Sequence, residues 1–525
     1  MKIQLADWHT PNWCSGKQIH CRGHLVDQTG RIFQDHELIS LLEKVKSESE
    51  LEQILDGASG HFAIIIELEN EILAAVDHAS TIPLYYGKNV ISDDALAIPS
   101  ERNITADAQN QYLLSGYLIG NRTLYSDVFI IPAGNSLRLN KENSQASLHQ
   151  YYSYTQLENL KLSEAALFDL LDEAHHTAIQ HLIQSADGRQ IVIPLSGGYD
   201  SRLIALMLKK LGYDNLLAYS YGSPRNREAH ISKAVASHLH IPYHFVVNTA
   251  KDWFETYHSE ECRDYHFKCG MISARPYLQD ILAVKQLRAN NVLQPDAIIT
   301  PGHSGDFLQG TIIPALFVEE DDLDRDAVLN VIYKKIYRLW PHSAQYSQPI
   351  KQQIRSYLEL PERMSGEEAA SFLEQFVWQH HQAKNYLNGT LVYEFYGYGW
   401  ELPWWDKGLL KFWRSVDVNL RYKRQFYKRY VQARQHIDIP VYYKQYLPTR
   451  AYQWFMRKTK GFIYDARWHR FADLRKDKDA LVESLIPADV ILPDFIDPNT
   501  RIAKCDINGL QALVSLVMVQ KRNTR

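Results

Sequence analysis

The stretch 191–212, IVIPLSGGYDSRLIALMLKKLG, constrains this chain more than any other. A short apolar run breaks at Ser196-Gly197-Gly198, passes through Tyr199-Asp200-Ser201, and resumes with apolar residues at helical spacing. The alternation then continues: strand 190–195, helix 201–211, strand 216–221, helix 227–239, strand 242–247, and a further apolar run, AIIT, at 297–300. Strands separated by helices pair in parallel through crossover connections, so the expected fold class is α/β with a doubly wound sheet. Glycines between a strand and a helix permit left-handed φ and leave backbone N–H groups unshielded. The positive end of the helix that follows suits a phosphate.

The segments on either side are of different kinds. Residues 60–87 hold two strand-like runs that turn at Glu69-Asn70-Glu71, and FIIPAGNSLRLNKENSQASLHQYY reads as strand, Pro-Gly turn and strand. LSEAALFDLLDEAHHTAIQHLIQ is an amphipathic helix whose start is marked by Ser163 and Glu164. The expected division is therefore a β-rich domain at 1–155 and an α/β domain at 160–525, mainly helical beyond about 320.

Composition excludes several classes. At 525 residues, 45% hydrophobic and with net charge −4, the chain is globular and offers no global attraction for nucleic acid. Cys14, Cys21, Cys262, Cys269 and Cys505 form no CxxC pair and no zinc spacing. The start, MKIQLADWHTPNWC, is no signal peptide, and no apolar run reaches the roughly 18 residues of a membrane span. A cytoplasmic protein without a transmembrane segment is expected.

The chemistry follows from the loop. Ser196 and Ser201 offer hydroxyls to the same anion as the open amides. Asp200 would repel a phosphate unless a cation lies between them, and Mg²⁺ takes carboxylate oxygens while bound to phosphates. The GxxxxGK[ST] P-loop is absent, whereas SGGxDS at a strand-to-helix turn resembles the PP-loop of ATP pyrophosphatases, which attack ATP at the α-phosphate. TPGHSGDFLQG, at 300–310, supplies a second loop with Gly302, Gly305 and Asp306 after another strand of the same sheet.

The order of segments resembles the asparagine synthetase family. LSGGYDSRLIA, EAHISKAVASHLHIPYHFV, GHSGDFLQG, GWELPWWD (399–406) and LRYKRQFYKRYV carry the likeness in one half. TGRIFQDHELISLL, FAIIIELENEILAAVDHASTIPLYYG and GYLIGNRTLYSDVFIIPAGNSLRL carry it in the other. The resemblance implies an N-terminal Ntn-hydrolase-like sandwich and a PP-loop synthetase domain with a helical C-terminal part. It implies ATP held by Leu195, Ser196, Gly197, Gly198, Asp200, Ser201 and Gly302, with Mg²⁺ on Asp200 and Asp306. It also implies a lysine, Lys423, beside the reacting phosphate.

Three departures stand out. Residue 2 is Lys where the family's glutaminase has its cysteine, and WCSGKQIHC lacks the apolar strand that should follow one, so glutaminase activity is expected to be absent. His303 stands where the family usually has Glu, and Arg202 where it usually has a small hydroxyl residue; both become candidate catalytic residues. The expected reaction adenylates a carboxylate, releases pyrophosphate, and passes the acyl group to ammonia or an amine. NYLNGTLVYEFYGYGWELPWWD (385–406) mixes aromatic and amide groups as a sugar site does, and the likeness extends to relatives in bacterial surface-polysaccharide pathways, so a carboxylated sugar is the expected acceptor. A small-molecule or peptide carboxylate, a catalytically silent nucleotide-binding relative, a tRNA-modifying adenylase of the PP-loop class, and homodimer formation stay open.

Overall fold

The computed structural model describes residues 1–223, 226–340, 346–434 and 507–523. The N-terminal region builds two sheets. The larger runs in the order Ala146–Gln150, Asn135–Asn140, Glu71–Val76, Ser59–Glu67, Ile19–Val26, Cys14–Ser15, with Ile32–Gln34 also paired to Ile19–Val26, further along the edge that Cys14–Ser15 occupies. The smaller joins Lys2–Gln4, Val90–Ser92, Tyr85–Gly87 and Phe129–Ile130. The turn at residues 69–71 is a hairpin, with Glu67 opposite Ile72.

Strand periodicity sorts the apolar residues between two cores. Ile64 and Ile66 pack with Leu38, Leu42, Leu51 and Leu55, from the helices Asp35–Leu42 and Glu48–Leu55. Ala63 and Ile65 face the smaller sheet and meet Leu84 and Ile91. A third and largest core is continuous from Tyr85 and Tyr112 to Ile191, Val192 and Ile193.

The helix Glu164–Ala186 begins where the sequence marks it, with the Ser163 side chain accepting from the Ala166 N–H. A five-stranded parallel sheet follows, in the order Tyr243–Val247, Leu216–Gly222, Ile191–Pro194, Ile298–Ile299, Gly399–Trp400. The helices Tyr199–Lys210 and Arg227–His238 make the first two crossovers. The chain steps outward from Ile191–Pro194 in one direction, then returns to place Ile298–Ile299 on its other side. That reversal opens a crevice at the carboxyl ends of the two strands, where open α/β sheets bind ligands. The mixed α/β class therefore agrees with the sequence. Gly399–Trp400, within the stretch singled out for its aromatic residues, is an edge strand of this sheet.

Candidate active site

The glycine loop lies at that crevice. The Leu195 N–H donates to the Tyr219 carbonyl at 2.7 Å, which carries the sheet pairing one residue past the strand. The loop then closes on itself: the Ser196 N–H donates to Ser201 Oγ at 3.1 Å, and the two serine hydroxyls stand 3.2 Å apart. Gly198 has φ −75° and ψ 169°, and neither it nor Gly197 takes a positive φ. The left-handed freedom that glycine permits is not used at this turn, and the Gly198 N–H donates to Ser196 Oγ at 3.2 Å. The left-handed residue is instead Ser304, at φ 68°, in the second loop, fixed by its hydroxyl donating to Gln382 Oε1 at 2.8 Å.

The two loops touch. A Cβ on Gly302 would lie 2.6 Å from the Ser201 nitrogen, and one on Gly305 would lie 2.9 Å from the Asp200 carboxyl carbon. Both glycines are needed for this approach, and the sequence pattern showed where they stand but not what they touch. Beside the contact is a cavity of about 340 Å³, shared by Leu195, Ser196, Asp200, Ser201, Gly302 and His303, a size suited to a small-molecule site. Its other walls carry Glu228, from the helix Arg227–His238, and Gln279, Asp280 and Tyr386.

Asp200 Oδ1 accepts from Gln309 Nε2 and from Arg424 Nη2, each at 2.9 Å. Burial pushes its carboxyl up from the usual value; Arg424 and Gln309 pull it back, and the charge of Asp306 raises it further. Asp306 itself is exposed and accepts from the Phe307 N–H at 2.9 Å. Two carboxylates in mutual repulsion, next to a loop with two serine hydroxyls, fit a divalent cation that also binds phosphate. Among the described residues no group of three or more His, Cys, Asp or Glu side chains could hold a metal. The donor set thus suits Mg²⁺ shared with phosphates, at the cost of displacing or sharing Arg424.

The structure places two of the singled-out residues, Lys423 and Arg202, away from the cavity wall. Lys423 is exposed, with its ammonium 4.6 Å from the centre of the Tyr422 ring. Arg424 is the cation that reaches Asp200. Both residues have left-handed φ, 55° and 61°, at the junction between the helices Val418–Arg421 and Gln425–Arg434. Arg202 is buried and bends back so that Nη2 donates to the Gly197 carbonyl at 2.7 Å; it braces the loop from behind and is not among the cavity-lining residues. His303 does line the cavity. Its ring meets Tyr386 edge-on at 4.8 Å, its Nδ1 is buried without a partner, and burial lowers its pKa to about 4, so the ring is neutral near pH 7.

The aromatic stretch is mostly core. Tyr393, Tyr396, Tyr398, Trp404 and Trp405 are all buried, and within 385–406 Tyr386 alone lines the cavity. Glu401 instead joins the two halves of the chain: its carboxylate meets His61 Nδ1 at 2.7 Å and His24 Nδ1 at 3.4 Å. Cys14 and Cys21 lie opposite each other on neighbouring strands. Burial pushes the Cys21 thiol up to about 12 and raises Cys14 as well.

Residues 182–270 match the family model described as Asparagine synthase. No curated protein matches the chain. Among solved structures it is similar to one described as the allosteric regulatory enzyme of purine biosynthesis, at 13% identity over 56% of each chain with a TM-score of 0.17. It is also similar to glutamine phosphoribosylpyrophosphate amidotransferase from B. subtilis complexed with ADP and GMP, at 10% identity over 55% of this chain and 62% of that one, with a TM-score of 0.16. The chain thus spans 56% and 62% of the lengths of these two structures. The matched segment holds the glycine loop and the strands and crossover helices next to it, and it supports a member of the asparagine synthetase family.

Proposed function

We propose that this protein is an ATP-dependent amide-forming ligase that adenylates a carboxylate, releases pyrophosphate, and passes the acyl group to ammonia or a primary amine. The observation that carries the reading is the contact of Gly302 and Gly305 with Ser201 and Asp200 at the reversal of the parallel sheet. It brings two serine hydroxyls and the Asp200 carboxylate to one cavity wall, with Asp306 on the adjoining loop.

In this reading Ser196, Gly197, Gly198 and Ser201 donate to the pyrophosphate end of ATP, and Leu195 and Gly302 shape the wall beside them. Asp200 and Asp306 would hold Mg²⁺, which supplies positive charge to the phosphate oxygens. Arg424 is a preorganised cation next to the same carboxylate, poised to stabilise charge as it develops. Arg202 fixes the loop by holding the Gly197 carbonyl.

The nitrogen comes from ammonia or an amine and not from glutamine hydrolysed in this chain. Each of the four described cysteines is a free thiol whose pKa is raised by burial, the opposite of an activated nucleophile. Among the described residues no helix is long and apolar enough to cross a membrane. We place the protein in the cytoplasm, where ATP is made and thiols stay reduced.

Pyrophosphate exchange into ATP tests the reading, with Mg²⁺ and a panel of sugar acids, amino acids and peptide carboxylates. A carboxylate-dependent rate supports it and names the acceptor class, with a uronic acid as the first expectation. Formation of ADP and phosphate would overturn it, and release of glutamate from glutamine would overturn the nitrogen assignment.

A further inference from the structure

Asp280 has no role in the reaction as described so far. It stands at the start of the helix Ile281–Ala289, is buried, and lines the same cavity as the glycine loop. Its carboxylate accepts from the Tyr393 hydroxyl, and Tyr219 and Tyr221, from the strand Leu216–Gly222, line the same cavity. The groups that counter its burial are all hydroxyls. A buried carboxylate without a cation is costly, and that cost is relieved when a cation arrives.

The cavity as a whole has the same bias. Asp200, Glu228 and Asp280 line it, and among the described residues no lysine or arginine does. Arg424 reaches Asp200 from outside the lining. Around Asp280 and Glu228 such a wall attracts a cation and disfavours a carboxylate beside that cation. The tyrosine rings around Asp280 also favour an ammonium group. His303 lines this cavity with a buried ring nitrogen that has no partner.

We propose that Asp280 and the tyrosines around it form the subsite for the amine substrate, which enters as a primary ammonium ion bearing no carboxylate beside the nitrogen. This rests on the amide-ligase reading above. The ammonium releases one proton to solvent, and the freed lone pair forms the C–N bond at the acyl carbon. The bond from that carbon to the AMP oxygen breaks, and AMP leaves with the electron pair. The second nitrogen proton passes to water.

The test uses two amines that differ in charge. Methylamine is an ammonium ion at pH 7.5, whereas hydroxylamine is largely neutral. With the carboxylate identified by pyrophosphate exchange, the ratio of kcat/KM for methylamine to that for hydroxylamine is measured in native enzyme, Asp280→Asn and Asp280→Glu. The ratio is expected to fall at least tenfold in D280N and to return to within threefold of native in D280E; an unchanged ratio in D280N would overturn the proposal. Calorimetry with the full chain, ATP and Mg²⁺ gives a reading that needs no turnover. Butylammonium should bind native protein at least tenfold more tightly than butanol or alanine, and that preference should be lost in D280N. Equal binding of the three by native protein would overturn the amine subsite. Absence of carboxylate-dependent exchange in native protein would instead overturn the ligase reading.

Discussion

The contact between the two loops can be tested with one methyl group. In Gly302→Ala the new Cβ would meet the Ser201 nitrogen at 2.6 Å, the Ser201 Cα at 3.1 Å and the Asp200 carbonyl carbon at 3.2 Å. All three are backbone atoms at the start of a helix, so no side chain can swing aside. Gly302 does not have positive φ, so alanine brings no backbone strain of its own and the whole effect is contact. To move from 2.6 Å to an ordinary 3.4 Å, the loops must part by about 0.8 Å. Overpacking of this kind costs about 1–3 kcal/mol. A displacement near 1 Å at a reacting centre costs on the order of 100-fold in rate. Carboxylate-dependent pyrophosphate exchange and thermal unfolding are the assays. Gly197→Ala is the folding control, because its Cβ would find only side-chain atoms, those of Glu228 and Ile231, at 3.5 Å or beyond. G197A should unfold within about 0.5 kcal/mol of native. Native exchange and native stability in G302A would refute the argument that the two loops are built to touch.

Other outcomes follow from the same geometry. Arg424→Ala should slow exchange at least tenfold, a loss of at least ~1.4 kcal/mol of transition-state stabilisation, and by more than Lys423→Ala; the reverse order would return the role to Lys423. Glu401→Gln strands the His61 imidazole, whose pKa burial lowers but Glu401 raises to a net upward shift. Denaturant titration should show a loss of about 3 kcal/mol, with the double variant H61Q/E401Q recovering part of it. His78, His175 and His380 are lowered to about 3, and His266, His303 and His381 to about 4, each by burial. Their contribution is full above the unfolded value near 6.5 and is lost as pH falls towards the folded values, by about 1.4 kcal/mol per pH unit for each group. Denaturation midpoints should therefore fall steeply from pH 7 to pH 5, and a flat profile would contradict the neutral burial of these rings.

The sheet was legible in the sequence because its signals are local. Runs such as Ile191–Pro194 and Leu216–Gly222 are apolar and are bounded by turns, and the helices between them keep a clear 3.6-residue period. Gly399–Trp400 was not legible as a strand, since two residues carry no period. The loops were legible as glycine-acid motifs, yet their contact depends on pairing at long sequence separation. Gly197 and Gly198 permit left-handed φ without using it, whereas Ser304, Lys423 and Arg424, where no propensity predicts it, adopt it. That kink is why Arg424, and not Lys423, meets Asp200. Asp280 lies in RPYLQDILAV, which has no catalytic pattern; the fold alone joins it to the cavity. The aromatic residues of 385–406 have the composition of either a sugar site or a core, and burial assigns five of the eight, Tyr393, Tyr396, Tyr398, Trp404 and Trp405, to the core.

The central claim is that a carboxylate attacks the α-phosphorus of ATP in the cavity beside Ser196–Ser201. The most direct measurement uses the acceptor found by exchange, labelled with ¹⁸O in its carboxylate, in a full reaction with ATP, Mg²⁺ and an amine. Mass spectrometry of the products should find one ¹⁸O in AMP and none in pyrophosphate. Label in inorganic phosphate, with ADP as the nucleotide product, would contradict the account.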